Sequence, residues 1–572
     1  MAVSLLQSSS DRHRRHQLAL GRAWPRMPEL PRGTPLAATL VLVVAAPVLA
    51  LLTFVAEPTE GLWSHMAETV LGEYLLNTAL LCAGVAALTL VMGAGTAWLV
   101  TMYRFPGQRI LNWALVLPLA VPAYVLAYAY TDLLQVTGPV QTTLRDLTGW
   151  GVRDYWFPNV RSVGGAAFVL ASALYPYVYV MARAAFLEQS VCALEVSRTL
   201  GCSPYQSFRR VGLPLARPAI AAGLAFVVME TLADFGAVAY FEVRTFTTGI
   251  YRAWYAQGSP AASAQLALCL LGMVLLVLAA ERTSRGRAQF TNNTTHIFNK
   301  QSVELRGAKG LAATLACALP LLLGFVLPAL ALAAMALRAG HEITLARLLT
   351  LAANTAMLGG LAGVVIVAVA VAALLGSSRE APLTRHLLRA ASLGYAVPGA
   401  VIGVGILVTL GSLDQVLAGL GERLWGAAPG LVFGGTVLAL VYGYLVRFFA
   451  VAYNPLDAGL AKITPGLEDA ARVLGCRPMG VLRRLQLPLL RASLLSALLL
   501  VFIDVLKELP ATMILRPFNF DTLAVEAFQL ATNEQLAAAA LPSLLIVLAG
   551  LVPVVVLCRM LDKGRAAAGV AG

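Results

Sequence analysis

The chain has 572 residues, of which 59% are hydrophobic and only 12% are charged, and its mean hydropathy is +0.76. These values exclude an ordinary soluble domain and an intrinsically disordered chain, because both need far more polar surface. The formal net charge is +13. Since the basic residues lie between long apolar runs, we interpret this charge as a sign of membrane topology and expect no nucleic-acid partner.

About a dozen apolar stretches follow one another along the chain, each near the roughly 20 residues that a helix needs to cross a lipid bilayer. Backbone groups in lipid must be hydrogen-bonded internally, so these runs predict helices, and the alternating pattern of a membrane barrel is missing. The predicted spans are 36–56, 76–100, 109–131, 163–187, 218–240, 262–280, 311–336, 354–376, 388–411, 429–452, 492–514 and 537–560. The predicted fold class is an all-α polytopic membrane protein with about 12 transmembrane helices.

Arginine and lysine residues crowd every second loop of this topology. They fill the leader at residues 1–35, return at Arg104 and Arg109, and occur again at Lys563 and Arg565 near the other terminus. Because cytoplasmic loops are enriched in these residues, both termini are predicted to be cytoplasmic. The first apolar run is long enough to span, so we interpret it as an anchor and not as a cleaved signal peptide.

The sequence lacks the common patterns for binding a metal or a nucleotide. Its seven cysteines are scattered singly, so neither a disulfide framework nor a structural zinc site is predicted. Only five lysines are present and none follows a glycine, which excludes the Gly-x-x-x-x-Gly-Lys-Ser/Thr phosphate loop. The chain is therefore expected to bind no cofactor itself.

The chain is an internal duplication. A polar, basic island at residues 195–217 recurs without a gap at residues 469–491. Outside the islands, three short matches are aligned: Asn77-Thr-Ala-Leu-Leu with Asn354-Thr-Ala-Met-Leu, Val121-Pro122 with Val397-Pro398, and Phe246-Thr247-Thr248 with Phe520-Asp521-Thr522. Each half thus holds six spans, and this even number predicts parallel repeats with the substrate path at their interface.

The duplication divides the chain into four parts. They are the basic cytoplasmic leader (1–35), a first transmembrane domain (36–280), a cytoplasmic linker (281–310) and a second transmembrane domain (311–565).

Each island is expected to form two short helices joined at a glycine. In the first copy, Gly201 suits a left-handed helix end, Ser203-Pro204 suits the start of the next helix, and Leu213-Pro214 is expected to close that helix before the following span. Such a knob, used twice, predicts a docking surface. The candidate residues are Glu195, Arg198, Gly201, Ser203, Pro204, Arg209, Arg210, Pro214, Asp469, Arg472, Gly475, Pro478, Arg483, Arg484 and Pro488.

The islands resemble the cytoplasmic loop of the permease subunits of ABC importers. That loop has a Glu-Ala-Ala run, a glycine six residues after the Glu, and a Leu-Pro pair about a dozen residues further on. The matching residues here are Glu195, Gly201 and Leu213-Pro214 in the first copy, and Asp469-Ala470-Ala471, Gly475 and Leu487-Pro488 in the second. Two mild departures are Val196-Ser197 in place of Ala-Ala and Asp469 in place of Glu.

The resemblance implies a type I ABC importer permease with both repeats fused in one chain of the bacterial inner (plasma) membrane. It implies two copies of a cytoplasmic ABC ATPase, which would bind ATP and Mg and grip the two loops. It also implies a periplasmic substrate-binding protein. The chain itself is then a transport subunit and not an enzyme.

Ionisable residues inside the predicted spans are functional candidates, because they are costly in lipid unless paired or hydrated. Glu230 and Asp234 are four residues apart, which would place them on one helical face. Asp504 and Glu508 occupy the equivalent positions of the second half, with Lys507 beside them. Carboxylate oxygens suit a hard cation, so they could line its path and contact iron transiently. Structural pairing, such as Lys507 with Asp504, is the alternative, and no resident metal site is assigned.

The residues around these carboxylates are similar to permeases of iron(III) importers. The similarity rests on Glu230-Thr-Leu-Ala-Asp-Phe-Gly in the first half and on Lys507-Glu-Leu-Pro-Ala-Thr in the second. It implies a ferric ion as substrate. Permeases for thiamine, phosphonate and related solutes share much of the pattern, so they remain alternatives. An ion-coupled secondary transporter is the rival from a different class, because twelve spans in two parallel halves suit it equally well.

Overall fold

The computed structural model describes residues 34–58, 61–188, 197, 199–285, 303–339, 343–376, 382–426, 430–476 and 478–570. Most of the leader, residues 286–302 of the linker, and Glu195 and Arg198 of the first island lie outside the described residues.

Within these ranges, ten helices are long and apolar enough to cross a membrane, and the number becomes twelve if each of two bent helix pairs is one span. The unbroken spans are span 1 (Thr34–Leu52), span 2 (Leu71–Met102), span 4 (Val163–Leu187), span 5 (Tyr205–Ala233), span 6 (Pro260–Thr283), span 7 (Ala308–Arg338), span 8 (Leu345–Leu374), span 9 (Gly399–Leu424), span 10 (Val437–Leu460) and span 12 (Leu536–Val556). The bent spans are span 3 (Gln108–Ala120 and Ala123–Thr148) and span 11 (Leu482–Leu489 and Arg491–Lys507). The predicted all-α polytopic fold is confirmed.

Shorter elements connect or extend these spans. The short helices are Leu62–Thr69, Gly236–Tyr240, Phe246–Tyr251, Pro382–Ala391, Pro465–Val473, Pro510–Leu515 and Leu523–Thr532. Two parallel strands, β1 (Tyr103–Arg104) and β2 (Val303–Glu304), pair the loop after span 2 with the end of the linker.

Both repeats break at the same Val-Pro pair. Span 3 bends by 95° between Ala120 and Ala123, where Pro122 has an extended backbone at φ −62° and ψ 145°. Pro398 is equally extended and precedes span 9. Since a proline cannot continue the preceding helix and disfavours the helical conformation one residue earlier, the break is a local consequence of the sequence. The predicted span over 388–411 is therefore divided at Pro398: a short helix, Pro382–Ala391, precedes the break, and span 9 begins at Gly399.

Span 10 begins eight residues later than its predicted start at residue 429, because the chain turns first. Asp414 of span 9 accepts hydrogen bonds from the backbone N–H groups of Val432, Phe433 and Gly434 at 3.1, 3.0 and 2.8 Å. This carboxylate holds the turn between spans 9 and 10 in place, and the helix of span 10 starts only after it.

An asparagine near the start of the second span of each half confirms the duplication in three dimensions. Asn77 Nδ2 donates to the carbonyl oxygen of Arg244 at 3.0 Å, and Asn354 Nδ2 donates to that of Asp521 at 3.1 Å. The same side chain thus ties the same span to the same loop in both repeats.

The threonines that follow these carbonyl groups correct one detail of the predicted alignment. Thr245 and Thr522 each occupy the N-cap of the next helix. Thr245 therefore corresponds to Thr522, and the alignment of Phe246 with Phe520 was wrong by three residues. The loop before the cap is longer in the second half, which short sequence matches do not show.

The first span of each half packs against the other half. Tyr442 on span 10 donates its hydroxyl to the carbonyl oxygen of Val43 on span 1 at 2.7 Å. Tyr130 on span 3 donates to the carbonyl oxygen of Leu323 on span 7 at 2.6 Å. The two repeats are interlocked, and their interface runs through the middle of the protein.

Candidate functional site

A cavity of about 110 Å³ lies between the two repeats, beside the breaks that end or bend spans 3, 5 and 11. Spans 3, 4 and 5 line it from the first half, and spans 10 and 11 line it from the second. The charged lining residues are Glu230, Asp234, Arg447, Asp504, Lys507 and Glu508. The structure therefore brings the four predicted carboxylates of both halves into one cavity.

Asp234 and Glu508 do not lie on a continuing helix face, and that prediction was wrong. Span 5 ends at Ala233 and span 11 ends at Lys507, so each carboxylate follows its helix with an extended backbone. Asp234 accepts two backbone N–H groups of the next short helix, both at 3.1 Å. Glu508 accepts the equivalent pair at 2.8 and 2.9 Å. The two residues hold the same break open in both repeats, because each satisfies donors that would otherwise be orphaned.

Glu230 and Asp504 each contact a neighbouring side chain. Tyr395, just before span 9, donates its hydroxyl to Glu230 Oε1 at 2.9 Å. Lys507 Nζ lies 2.9 Å from Asp504 Oδ1, one helical turn away. The structural pairing of Lys507 with Asp504 thus exists, and both residues still line the cavity.

Arg447 is a cavity residue that the sequence reasoning missed. Its Nη1 lies 3.4 Å from Glu508 Oε1 and its Nη2 lies 4.0 Å from Glu230 Oε2, with only 10% of the side chain exposed. It therefore bridges a carboxylate of each half. The signal was available, because an arginine inside the predicted span 429–452 is rare enough to mark a functional position.

The charges of the cavity are not distributed symmetrically. The register of the islands aligns Arg447 with Ala173 and Lys507 with Ala233, and all four residues line the cavity. The carboxylates are duplicated, whereas both cations come from the second half. The lining keeps more carboxylates than cations and is therefore acidic, which attracts cations and repels anions.

Close packing between the halves fixes the shape of the cavity at Gly236. A Cβ atom at this position would lie 2.8 Å from Tyr124 Cβ of span 3 and 2.9 Å from Leu509 Cδ2 of the second half. Only a residue without a side chain allows this approach.

The cavity is not a preformed metal centre. Within the described ranges, no three His, Cys, Asp or Glu side chains are grouped closely enough to hold a metal ion. The carboxylates of the cavity already bind backbone or side-chain donors.

The two islands, at a distance from the cavity, share their predicted glycine turn. Gly201 and Gly475 have φ angles of +83° and +84°. The N–H of the next residue closes each turn on a carbonyl oxygen at 3.0 Å, as in a Schellman-type helix end. Ser203 then caps the second helix of the first island: it accepts from the Gln206 N–H at 3.3 Å, and its own N–H donates to Gln206 Oε1 at 2.9 Å.

In each island, a side-chain contact joins the segment before the glycine turn to the helix after it; we call these two segments the first and second arms. In the first island the hydroxyls of Ser197 and Ser207 are 2.8 Å apart. In the second, Gln486 Nε2 donates to Glu468 Oε1 at 3.0 Å. The described part of each island is therefore a braced knob.

The tips of both knobs expose an apolar residue among basic ones. Leu200 is 78% exposed and Leu474 is 84% exposed, each immediately before its glycine. The exposed arginines of the second arms are Arg209, Arg210, Arg483 and Arg484. On the second knob, Asp469 also lies 3.4 Å from Arg472.

The Leu213-Pro214 pair does not end the second arm of the first island, and that prediction was wrong. Helices begin at Pro204 and Pro478, and each passes through a π-helical turn, Phe208–Gly212 or Leu482–Gln486. In the first island the helix continues through Pro214 into span 5. In the second, the helix continues past Pro488 and bends by 63° at Leu490. A π-turn changes the hydrogen-bond ladder just where proline lacks its N–H, so the helix continues.

Two interlocked six-span halves, an interface cavity and a duplicated knob define a two-repeat membrane transport protein. The sequence matches the family described as the binding-protein-dependent transport system inner membrane component, over residues 87–285 and again over residues 365–566. The chain belongs to this family. The resemblance to fused ABC importer permeases is confirmed, and the chain is a multi-pass permease subunit of that class.

Known relatives transport different substrates. The chain is 25% identical over 551 residues to the Fe(3+)-transport system permease protein FbpB 2 of Haemophilus influenzae. The matched region covers 93% of this chain and 100% of that protein. It is 28% identical over 262 residues to the sulfate transport system permease protein CysT of Salmonella typhimurium, covering 44% of this chain and 91% of CysT. It is 27% identical over 212 residues to the molybdenum transport system permease protein ModB of Escherichia coli, covering 35% of this chain and 89% of ModB.

Proposed function

We propose that this permease moves ferric iron into the cytoplasm, driven by ATP hydrolysis on separate subunits. The observation that carries the substrate is the interface cavity, whose lining holds four carboxylates against two cations. Hard cations favour carboxylate oxygen, whereas sulfate or molybdate would be repelled by such a lining. The full-length similarity to an Fe(3+) permease supports the same choice.

The two knobs are the proposed contacts with two copies of a cytoplasmic ABC ATPase. Each knob offers one apolar tip beside basic residues, so two identical subunits can bind one fused chain. ATP and Mg would be bound by these subunits. This proposal places both termini and both knobs in the cytoplasm of a bacterial inner membrane, as the arginine distribution indicates.

A periplasmic binding protein is the proposed donor of the ferric ion on the outer face. Closure of the ATPase dimer would draw the knobs together and rearrange the interface between the halves, where Arg447 bridges Glu508 and Glu230. The incoming cation would replace this bridge as a partner of the carboxylates. ATP binding can shift the permease between its inward-facing and outward-facing states only if the ATPases bind the knobs with different affinity in the two states.

Uptake into proteoliposomes tests the proposal. The permease is reconstituted with its ATPase and binding protein, and uptake of labelled ferric ion, sulfate and molybdate is compared with and without ATP. Only ferric ion is expected to accumulate, and only with ATP. Uptake of an oxyanion in place of iron would refute the substrate, and uptake without ATP would favour the secondary transporter.

Two variants link uptake to the cavity. Glu230→Gln together with Asp504→Asn removes two lining charges and is expected to lower iron uptake by about tenfold or more, equivalent to at least about 1.4 kcal/mol. Asp132→Asn is the matched control, because this partly buried carboxylate of span 3 does not line the cavity. A loss of uptake of the same size in both variants would remove the argument for an acidic path.

A further inference from the structure

A second cavity, of about 800 Å³, lies in the first half at the end of span 2 and the start of span 3. Three arginines line it: Arg104 in the loop between these spans, Arg109 in the first turn of span 3, and Arg183 near the end of span 4. The arginine distribution assigns this side of the membrane to the cytoplasm. The interface cavity and the two knobs do not include these residues.

The floor of this basic cavity is held by hydrogen bonds. Arg183 Nε donates to Asn112 Oδ1 at 2.7 Å, and Tyr179 donates its hydroxyl to the backbone carbonyl of Asn112 at 2.7 Å. Gln108 Nε2 donates to the carbonyl oxygen of Val100, also at 2.7 Å. These hydrogen bonds fix Arg183, Asn112 and Gln108 in place at the floor of the cavity.

Two of the three arginines, Arg104 and Arg109, lie at the rim of the cavity. Among the described residues, no acidic side chain lines the cavity, and no carboxylate lies within 4.0 Å of the guanidinium of Arg104 or Arg109. Both side chains are exposed. Guanidinium groups bind phosphate through paired hydrogen bonds, so an anionic phosphate group fits this charge better than a neutral ligand.

One side of the cavity is apolar and faces outward. Ile110 and Leu187 line it and are 62% and 38% exposed. Trp113 lies one turn after Ile110 and is 38% exposed, in the position typical of tryptophan at a membrane surface. A ligand here would place its phosphate on the arginines and hydrocarbon on the outward wall.

The second half does not repeat this arrangement. The register of the duplicated spans aligns Arg183 with Asp457 and Asn112 with Leu388. The first substitution reverses the charge and the second removes the amide that orients it. These two lining positions therefore differ in character between the halves, although Arg109 aligns with Arg385.

We propose that this basic cavity binds the phosphate of an anionic phospholipid from the cytoplasmic leaflet. Basic pockets between transmembrane helices on that side are suited to anionic headgroups. The exposed apolar wall distinguishes a lipid from free phosphate, which needs only the arginines.

Native mass spectrometry of the purified full chain, titrated with phosphatidylglycerol, tests the proposal. One tightly bound phosphatidylglycerol is expected, and Arg104→Gln with Arg109→Gln should weaken its binding by about tenfold or more, since both rim charges that attract the anionic headgroup are lost. These side chains are exposed, so the variant should elute from a sizing column as the unmodified chain does.

Three further arms make the result decisive. Arg282→Gln is the matched control, because Arg282 is an exposed arginine near the end of span 6 that does not line the cavity. This variant should leave lipid binding unchanged. Phosphatidylcholine should not replace phosphatidylglycerol, and inorganic phosphate should not compete with it. Equal loss in the control, equal binding of phosphatidylcholine, or displacement by inorganic phosphate would each overturn the lipid site.

Discussion

Replacing the glycine at the bend of each knob gives a sharp prediction about coupling to the ATPase. Gly201 and Gly475 both adopt the left-handed conformation, and a Cβ atom added at either would meet nothing within 4 Å. Gly201→Ala and Gly475→Ala therefore introduce no clash. Their effect is confined to the backbone, where a left-handed alanine costs about 1–2 kcal/mol.

This energy sets the expected loss of ATPase binding. We assume that the ATPase recognises only the bent knob and that the alanine variant leaves the bent conformation when no ATPase is bound. The backbone cost must then be met on binding, so each substitution weakens binding at its knob by about 5- to 30-fold. Titration of the purified ATPase onto the permease in nanodiscs measures the affinity, and ATP-driven uptake should fall in parallel.

Gly480→Ala is the matched control within the second knob. Gly480 lies in a helical turn, and its added Cβ would be 3.8 Å from Cys476 Cβ, an ordinary contact. Alanine is favoured over glycine in a helix by about 0.5–1 kcal/mol, so binding should be preserved. Unchanged binding in both bend variants, or an equal loss in Gly480→Ala, would refute the reasoning.

Two further predictions concern the cavity. Gly236→Ala should lower the melting temperature of the detergent-purified protein, because overpacking at this contact costs about 1–3 kcal/mol. Gly272→Ala is the control and should leave the melting temperature unchanged, because an added Cβ atom at this position of span 6 would meet nothing within 4 Å. Equal melting temperatures for the two variants would contradict the packing argument. Asp504→Asn and Lys507→Met should be coupled, because each single change leaves its partner without the 2.9 Å contact. The double variant should unfold at a higher temperature than the sum of the single effects predicts, and additive effects would show that the pair contributes no stability.

The sequence was sufficient for the repeat architecture, because its signals are long or duplicated. Apolar runs predicted the spans. Gly201 and Gly475 predicted a turn in the left-handed backbone conformation, which glycine adopts easily because it has no Cβ atom. Each of these follows from local backbone chemistry, which a single sequence contains.

Contacts between distant segments were harder to predict. Asp234 and Glu508 end their helices instead of continuing them, because backbone donors of the next helix bind them. Whether these carboxylates accept backbone N–H groups depends on where the chain turns after the span. Arg447 could have been suspected as a charge inside a span, but its bridge to both halves depends on tertiary packing.

The proposal that two equivalent knobs each bind an ATPase is tested most directly by site-specific cross-linking. A photoreactive residue is placed at Leu200 or at Leu474, both exposed at the knob tips, and the permease is mixed with its purified ATPase. Each position alone is expected to give one ATPase adduct per permease, and both together are expected to give two. Adducts at only one knob, or at neither, would contradict the proposal.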